Sequence, residues 1–172
     1  IAQWVRDFGK KHGLESITDD FGNIILKKPA SKGREKSPVT ILQGHLDMVH
    51  SKNADVHFDF DTQGIEMYVE GDWVRARGTT LGADNGLGVA SILAVLASKD
   101  IPHPALEALF TLDEEQGLGG AKNLGRNLLK GKVLLNLDTE EDHVLTIGCA
   151  GGVDTLIDWK YKEESTPENL LS

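Results

Sequence analysis

Apolar residues open the chain at helical spacing: Ile1, Trp4, Val5 and Phe8 share one face of residues 1–12, and Gly13 supplies a stop. The period then shortens. Ile24-Ile25-Leu26, following the turn residues Gly22-Asn23, predicts a short buried strand, and the polar, Lys-, Ser- and Pro-containing stretch 29–38 predicts an exposed loop. Residues 39–43 predict a second strand, ending in Gly44-His45-Leu46-Asp47. Residues 50–63 are polar and irregular, a surface excursion, and 66–77 alternate about Glu70-Gly71-Asp72 as a hairpin does. In 86–98, Leu87, Val89, Ala90, Ile92, Leu93, Val95 and Leu96 are apolar nearly all round, which predicts a helix covered on more than one side. Residues 106–112, 132–137 and 144–147 predict three further strands. Strands alternating with helical stretches define an α/β fold, a mixed, mostly parallel sheet flanked by helices. The character changes at Gly151-Gly152: residues 153–159 alternate like a half-exposed strand. A first domain over 1–151 and the beginning of a second over 152–172 are therefore expected.

Composition narrows the function. With 18 basic against 27 acidic residues the net charge is −9, which argues against a nucleic-acid partner. Several of the acidic residues are bunched, a first hint of a cation site. Cys149 is the single cysteine, so no internal disulfide can form; in a run of small residues it reads as a packing residue. No apolar run approaches the ~20 residues that cross a bilayer, and a soluble, cytoplasmic enzyme with no membrane partner is expected.

The chemistry collects at element ends. The strand at 39–43 runs into His45 and Asp47, that at 106–112 into Asp113, Glu114 and Glu115, and that at 132–137 into Asp138; Gly82-Ala83-Asp84-Asn85-Gly86 precedes the apolar helix. Open α/β sheets build their sites beyond the carboxyl ends of strands, so these groups can converge. Histidine with carboxylates suits Zn²⁺ and similar divalent ions, and with no second cysteine an open hydrolytic site fits better than a structural one. His45 can bind a metal while Asp47 holds its other ring nitrogen. Of Glu114 and Glu115, one can bind metal and the other carry a proton. Taken singly, each has a plainer reading: a satisfied strand-end histidine, a helix cap at Asp84, a solvated pair at Glu114-Glu115, an acidic surface turn at residues 138–142. His12, His50, His57, His103 and His143 read as surface residues. Gly117-Leu118-Gly119-Gly120 reads as mobile loop hinges. Gly82-x-x-x-Gly86-x-Gly88 lacks the Lys-Ser/Thr of a phosphate loop, and no Gly-x-Ser-x-Gly elbow is present.

Gly44-His45-Leu46-Asp47-Met48-Val49, Gly78-Thr79-Thr80-Leu81-Gly82-Ala83-Asp84-Asn85-Gly86, Asp113-Glu114-Glu115 and Asn136-Leu137-Asp138-Thr139-Glu140-Glu141 resemble, in order and spacing, the co-catalytic zinc peptidases. That superfamily includes carboxypeptidase G, aminoacylase, peptidase T and the bacterial dipeptidases. The Gly78–Gly86 run, with Asp138-Thr139-Glu140-Glu141 and Gly148-Cys149-Ala150-Gly151-Gly152, is most similar to the aminoacyl-histidine dipeptidases. The resemblance implies two divalent ions, Zn²⁺ with Co²⁺ or Mn²⁺ as alternatives. His45 and Asp138 would bind the first ion, Asp84 would bridge both, its peptide bond to Asn85 being one the superfamily tends to keep cis, and Glu115 would bind the second. Glu114 would be the general base, with Asp47 steadying the imidazole. It implies a dipeptide substrate of the carnosine type; an aminoacylase or tripeptidase, or a catalytically incomplete metal-binding fragment, are the rival readings. A final metal-binding histidine and an inserted lid domain carrying homodimer contacts belong to the pattern and are not found in these 172 residues. The chain is thus expected to be an N-terminal catalytic part, binding about one ion and hydrolysing poorly alone.

Overall fold

The computed structural model describes residues 1–139, 141, 143–148, 151–153 and 155–164. Cys149, and Glu140 and Asp142 of the acidic turn, lie outside these, as does 165–172 of the expected second domain. The chain separates into two compact units, Ile1–Glu140 and Glu141–Ser172.

In the first unit, helix α1 (Ala2–Lys11) is followed by β1 (Glu15–Thr18), β2 (Ile24–Lys28), β3 (Thr40–His45), the hairpin β4 (Met67–Glu70) and β5 (Trp73–Ala76), helix α2 (Ala83–Ala97), β6 (Leu106–Thr111), the short α3 (Gly119–Lys122) and β7 (Val133–Asn136). The five-stranded sheet runs β1-β2-β6-β3-β7, and β4 and β5 pair separately. β3 is parallel to β6 and to β7, while β2 is antiparallel to β6 and β1 to β2. This is the expected mixed sheet, with β1 as an addition: Glu15-Ser16-Ile17-Thr18 is too polar to stand out as a strand, and its edge position allows that.

The period of two divides the core. On one face Leu106, Ala108 and Phe110 of β6 join Ile24, Leu26 and Leu42 beneath Val5 of α1 and Val89, Ile92, Leu93 and Leu96 of α2. On the other, Ile25, Ile41 and Leu109 are covered by Leu124, Leu128 and Leu129. β6, central in the sheet, is buried along its whole length, the condition that gives a central strand a near-continuous apolar run. Its exception, Glu107, is satisfied by the Lys130 and Gly131 amides at 2.7 and 2.9 Å. Lys28 reaches across the sheet to donate to the Val95 and Ser98 carbonyls at 3.0 and 2.6 Å, a cation at the C-terminal end of α2.

Three local expectations change. α2 lies on one sheet face, so it buries one side only; Leu87, 71% exposed, shares an open stripe with Ala90, Ser91 and Ala94. Residues 144–147 form no strand, having no sheet partner among the described residues, and Leu145 and Ile147 are fully exposed. His103 is buried rather than superficial: its ring Nδ1 lies 2.7 Å from the Pro104 carbonyl and its amide donates to Ser31 Oγ at 2.9 Å. Among the described residues no helix is long and apolar enough to cross a membrane.

The β1–β2 turn is organised by Asp19. Its Oδ1 accepts the amides of Phe21, Gly22 and Asn23, and its Oδ2 accepts Asn23 Nδ2 and the Gly125 amide, which ties the turn to the segment covering the second core. Burial works to raise its pKa, and the hydrogen bonds from Asn23, Gly125 and Gly22 outweigh it, leaving the carboxyl below its ordinary value. A depressed carboxyl stabilises the fold above its unfolded pKa and stops doing so as pH falls through the folded one. Asp19→Ala should therefore cost about 1–3 kcal/mol at neutral pH. In denaturant titrations the gap from wild type should shrink well below pH ~3.9, the ordinary aspartate value; a gap independent of pH would contradict this.

Candidate active site

Because β3, β6 and β7 run parallel, their carboxyl ends lie along one edge of the sheet. His45 is the last residue of β3, opposite Thr111 of β6, and Asp47, Glu114, Glu115 and Asp138 follow within a few residues of their strands. Asp84 enters from the first turn of α2, where the Asp84–Asn85 peptide bond is cis.

The His45 imidazole is the hub. Its Nε2 lies 2.9 Å from Asp84 Oδ1, 3.7 Å from Asp138 Oδ1 and 4.0 Å from Glu114 Oε2. Its Nδ1 meets the Asp47 main-chain oxygen at 3.0 Å, with the Asp47 Oδ1 at 3.5 Å. Two sets of donor atoms, His45–Asp84–Asp138 and His45–Glu114–Glu115, each lie within 4.8 Å of one another. Thus all four residues read as metal-binding, and the two read as catalytic, come together. Asp84 is the exposed member, and His45 is 1% exposed.

The electrostatics are those of crowded carboxylates. Among the described residues no Lys or Arg forms an ion pair with any of them; the one basic group in their midst is the His45 imidazole, which is charged only when protonated. Burial works to lower the imidazole's pKa, but the hydrogen bond to Asp84 and the charges of Asp138, Asp47 and Glu114 raise it on balance. Burial raises Glu114, and Asp138, Glu115 and Asp47 add to that against His45. Burial likewise raises Asp138, His45 opposing and Asp84 and Glu115 reinforcing. Asp47 goes the other way: burial is outweighed by the Glu114 and Glu115 amides and by His45, and it is held low. Its Oδ2 accepts the Glu115 amide at 3.1 Å, while Oδ1 is buried with no hydrogen-bond partner among the described residues. One imidazole and several uncompensated carboxylates are a donor set that a divalent cation neutralises.

Asn23 is a supporting residue that the pattern of turns concealed. Fully buried, it accepts the Leu112 amide at 3.2 Å and donates to the Gly120 carbonyl at 2.9 Å, clamping both ends of the loop that carries Glu114 and Glu115. Residues 117–120, read as mobile hinges, fold back instead: the Gly117 and Leu118 amides donate to the Glu114 carbonyl, Gly119 to Asp113 and Gly120 to Leu112. Asp113 and Leu118 take left-handed φ values of 58° and 63° to make this turn, conformations unusual for residues with a Cβ. The signal available in the sequence was a buried-strand neighbour, Asn23, with no charge to explain it.

A mixed α/β sheet whose parallel strands deliver imidazole and carboxylates to one edge has the architecture of a metal-dependent hydrolase domain. Residues 41–164 match the model of Peptidase family M20/M25/M40, and the chain belongs to that family. It is 44% identical over 167 residues to the cytosol non-specific dipeptidase of Escherichia coli (strain K12), covering 97% of this chain and 34% of that protein. The crystal structure of aminoacylhistidine dipeptidase from Vibrio alginolyticus superposes with a TM-score of 0.80 at 48% identity, over 82% of this chain and 29% of that one. That of aminopeptidase PepT from Bacillus cereus gives 0.67 at 29% identity, over 81% and 37%. The chain spans about a third of the length of these relatives.

A Cβ on Gly120 would strike the Leu112 backbone and the Asn23 carboxamide oxygen, so Gly120→Ala must displace the loop. About 1–3 kcal/mol of overpacking is expected, and roughly 2–4 °C of melting temperature per kcal/mol. Thermal unfolding followed by circular dichroism checks this; an unchanged midpoint would show that the loop gives way freely.

Proposed function

We propose that this chain carries the metal-binding and proton-transferring groups of a dipeptidase acting on aminoacyl-histidine and other dipeptides. The observation that carries the reading is the meeting, within 4.0 Å of His45 Nε2, of carboxylates from α2, the β6 loop and the end of β7. His45, Asp84 and Asp138 would hold one divalent ion, and Asp84 with Glu115 would contribute to a second. Zn²⁺ fits this donor set, as do Co²⁺ and Mn²⁺. When bound, such ions lower the pKa of water and polarise a peptide carbonyl.

The chain's own groups divide the remaining work. Glu114 takes the proton from the attacking water and passes it to the leaving amine. Asp47 remains ionised and fixes the His45 ring from its far side, through its main-chain oxygen at 3.0 Å and its carboxylate at 3.5 Å. Likeness to an aminoacylhistidine dipeptidase and to a non-specific dipeptidase supports dipeptides as the substrate class. On the same reading residues 1–151 belong to the catalytic domain, 152–172 open a second domain with dimer contacts, and the protein works as a cytoplasmic homodimer.

In the complete protein, Glu114→Gln should lower turnover by about 10²–10⁴-fold, the usual contribution of a general base, while metal content after dialysis stays near wild type. His45→Ala and Asp84→Ala should instead release metal. If Glu114→Gln lost metal in step with activity, the roles of the two glutamates would be reversed. A panel of dipeptides, tripeptides and acyl-amino acids tests the substrate class: preference for acyl-amino acids or tripeptides would move the assignment to an aminoacylase or a tripeptidase.

A further inference from the structure

The parallel ladder between β3 and β7 pairs Gln43 with Asn136, and the Leu137 amide still donates to the Gln43 carbonyl at 2.9 Å. In this register the next rung would run from the His45 amide to the Leu137 carbonyl. It is not made directly. The side chain of Asn85, 4% exposed, occupies its place: Oδ1 accepts the His45 amide at 3.3 Å and Nδ2 donates to the Leu137 carbonyl at 2.5 Å. The second Nδ2 hydrogen reaches Asp138 Oδ1 at 3.1 Å.

One carboxamide thus extends the sheet by a rung while holding its strand ends apart, and the residues it holds are His45 and Asp138. Its orientation is fixed. A flipped amide would set Nδ2 against the His45 N–H and Oδ1 against the Leu137 carbonyl and the Asp138 carboxylate. The space is fixed as well: a Cβ on Gly44 would strike Oδ1, and one on Gly88 would strike both amide atoms and the Leu137 carbonyl oxygen.

We propose that Asn85 is a positioning residue, a wedge in the β3–β7 ladder that sets the separation of His45 from Asp138 and orients the Asp138 carboxylate for a divalent cation. The inference rests on the metal-site reading above. Two substitutions separate it from simpler roles. Asn85→Ala removes the wedge. Asn85→Asp keeps its shape and its acceptor for the His45 amide, but turns oxygen toward the Leu137 carbonyl and Asp138.

The experiment measures Zn²⁺ affinity of the full chain by competition with a chromophoric chelator, and His45 amide exchange in the metal-free protein by NMR. Both variants should bind Zn²⁺ about 10–100-fold more weakly, the usual loss when a ligand's orienting partner is removed. His45 amide protection should fall in Asn85→Ala and persist in Asn85→Asp. If Asn85 only filled space, Asn85→Asp would bind like wild type; if only local charge mattered, it would bind more tightly. Either result overturns the proposal, as would unchanged protection and affinity in Asn85→Ala. Should wild type itself bind no Zn²⁺ while Asn85→Ala loses His45 protection, the metal reading fails and the wedge stands. If Asn85→Ala does not fold by circular dichroism, the Asn85→Asp affinity decides.

Discussion

The His45 imidazole, 1% exposed, stands between Asp47 on one ring nitrogen and Asp84, Asp138 and Glu114 on the other. Among the described residues it is the one basic group in their midst. This concentration of negative charge around a buried ring is the constraint to which the surrounding structure answers. Burial first, and the neighbouring like charges after it, push Glu114 and Asp138 up against the pull of His45, while Asp47, supplied with backbone amides, is held down. A divalent cation bound there, as proposed, would remove the conflict.

Hydrogen bonds from backbone amides and carboxamides hold the groups together. Asp47 accepts the Glu115 amide and so couples the end of β3 to the β6 loop. Asn23 clamps that loop from below, through Leu112 and Gly120, and is itself held by Asp19. Asn85 joins the ends of β3 and β7 to the start of α2. These bonds engage none of the side-chain atoms that meet at His45 Nε2.

Much of this was legible in the residue pattern. The strands at 39–43, 106–112 and 132–137, the hairpin about Gly71 and the helix after Gly86 followed from periodicity, and the polar residues at their ends marked the site. What escaped had physical reasons. β1 is a polar edge strand, and edge strands need no apolar run. Asn23 and Asn85 carry no charge, and their burial depends on contacts distant in sequence. His103 is buried through contacts with Ser31 and Pro104. Residues 144–147 have the composition of a strand, but a strand exists only with a partner.

The central claim, that this edge of the sheet is a divalent-cation site, is tested most directly by anomalous X-ray diffraction from crystals of the protein grown with Zn²⁺. The account predicts an anomalous peak about 2.0–2.2 Å from His45 Nε2 and from carboxylate oxygens of Asp84 and Asp138. A peak bound elsewhere, with these groups hydrogen-bonded to one another and no density between them, would contradict it.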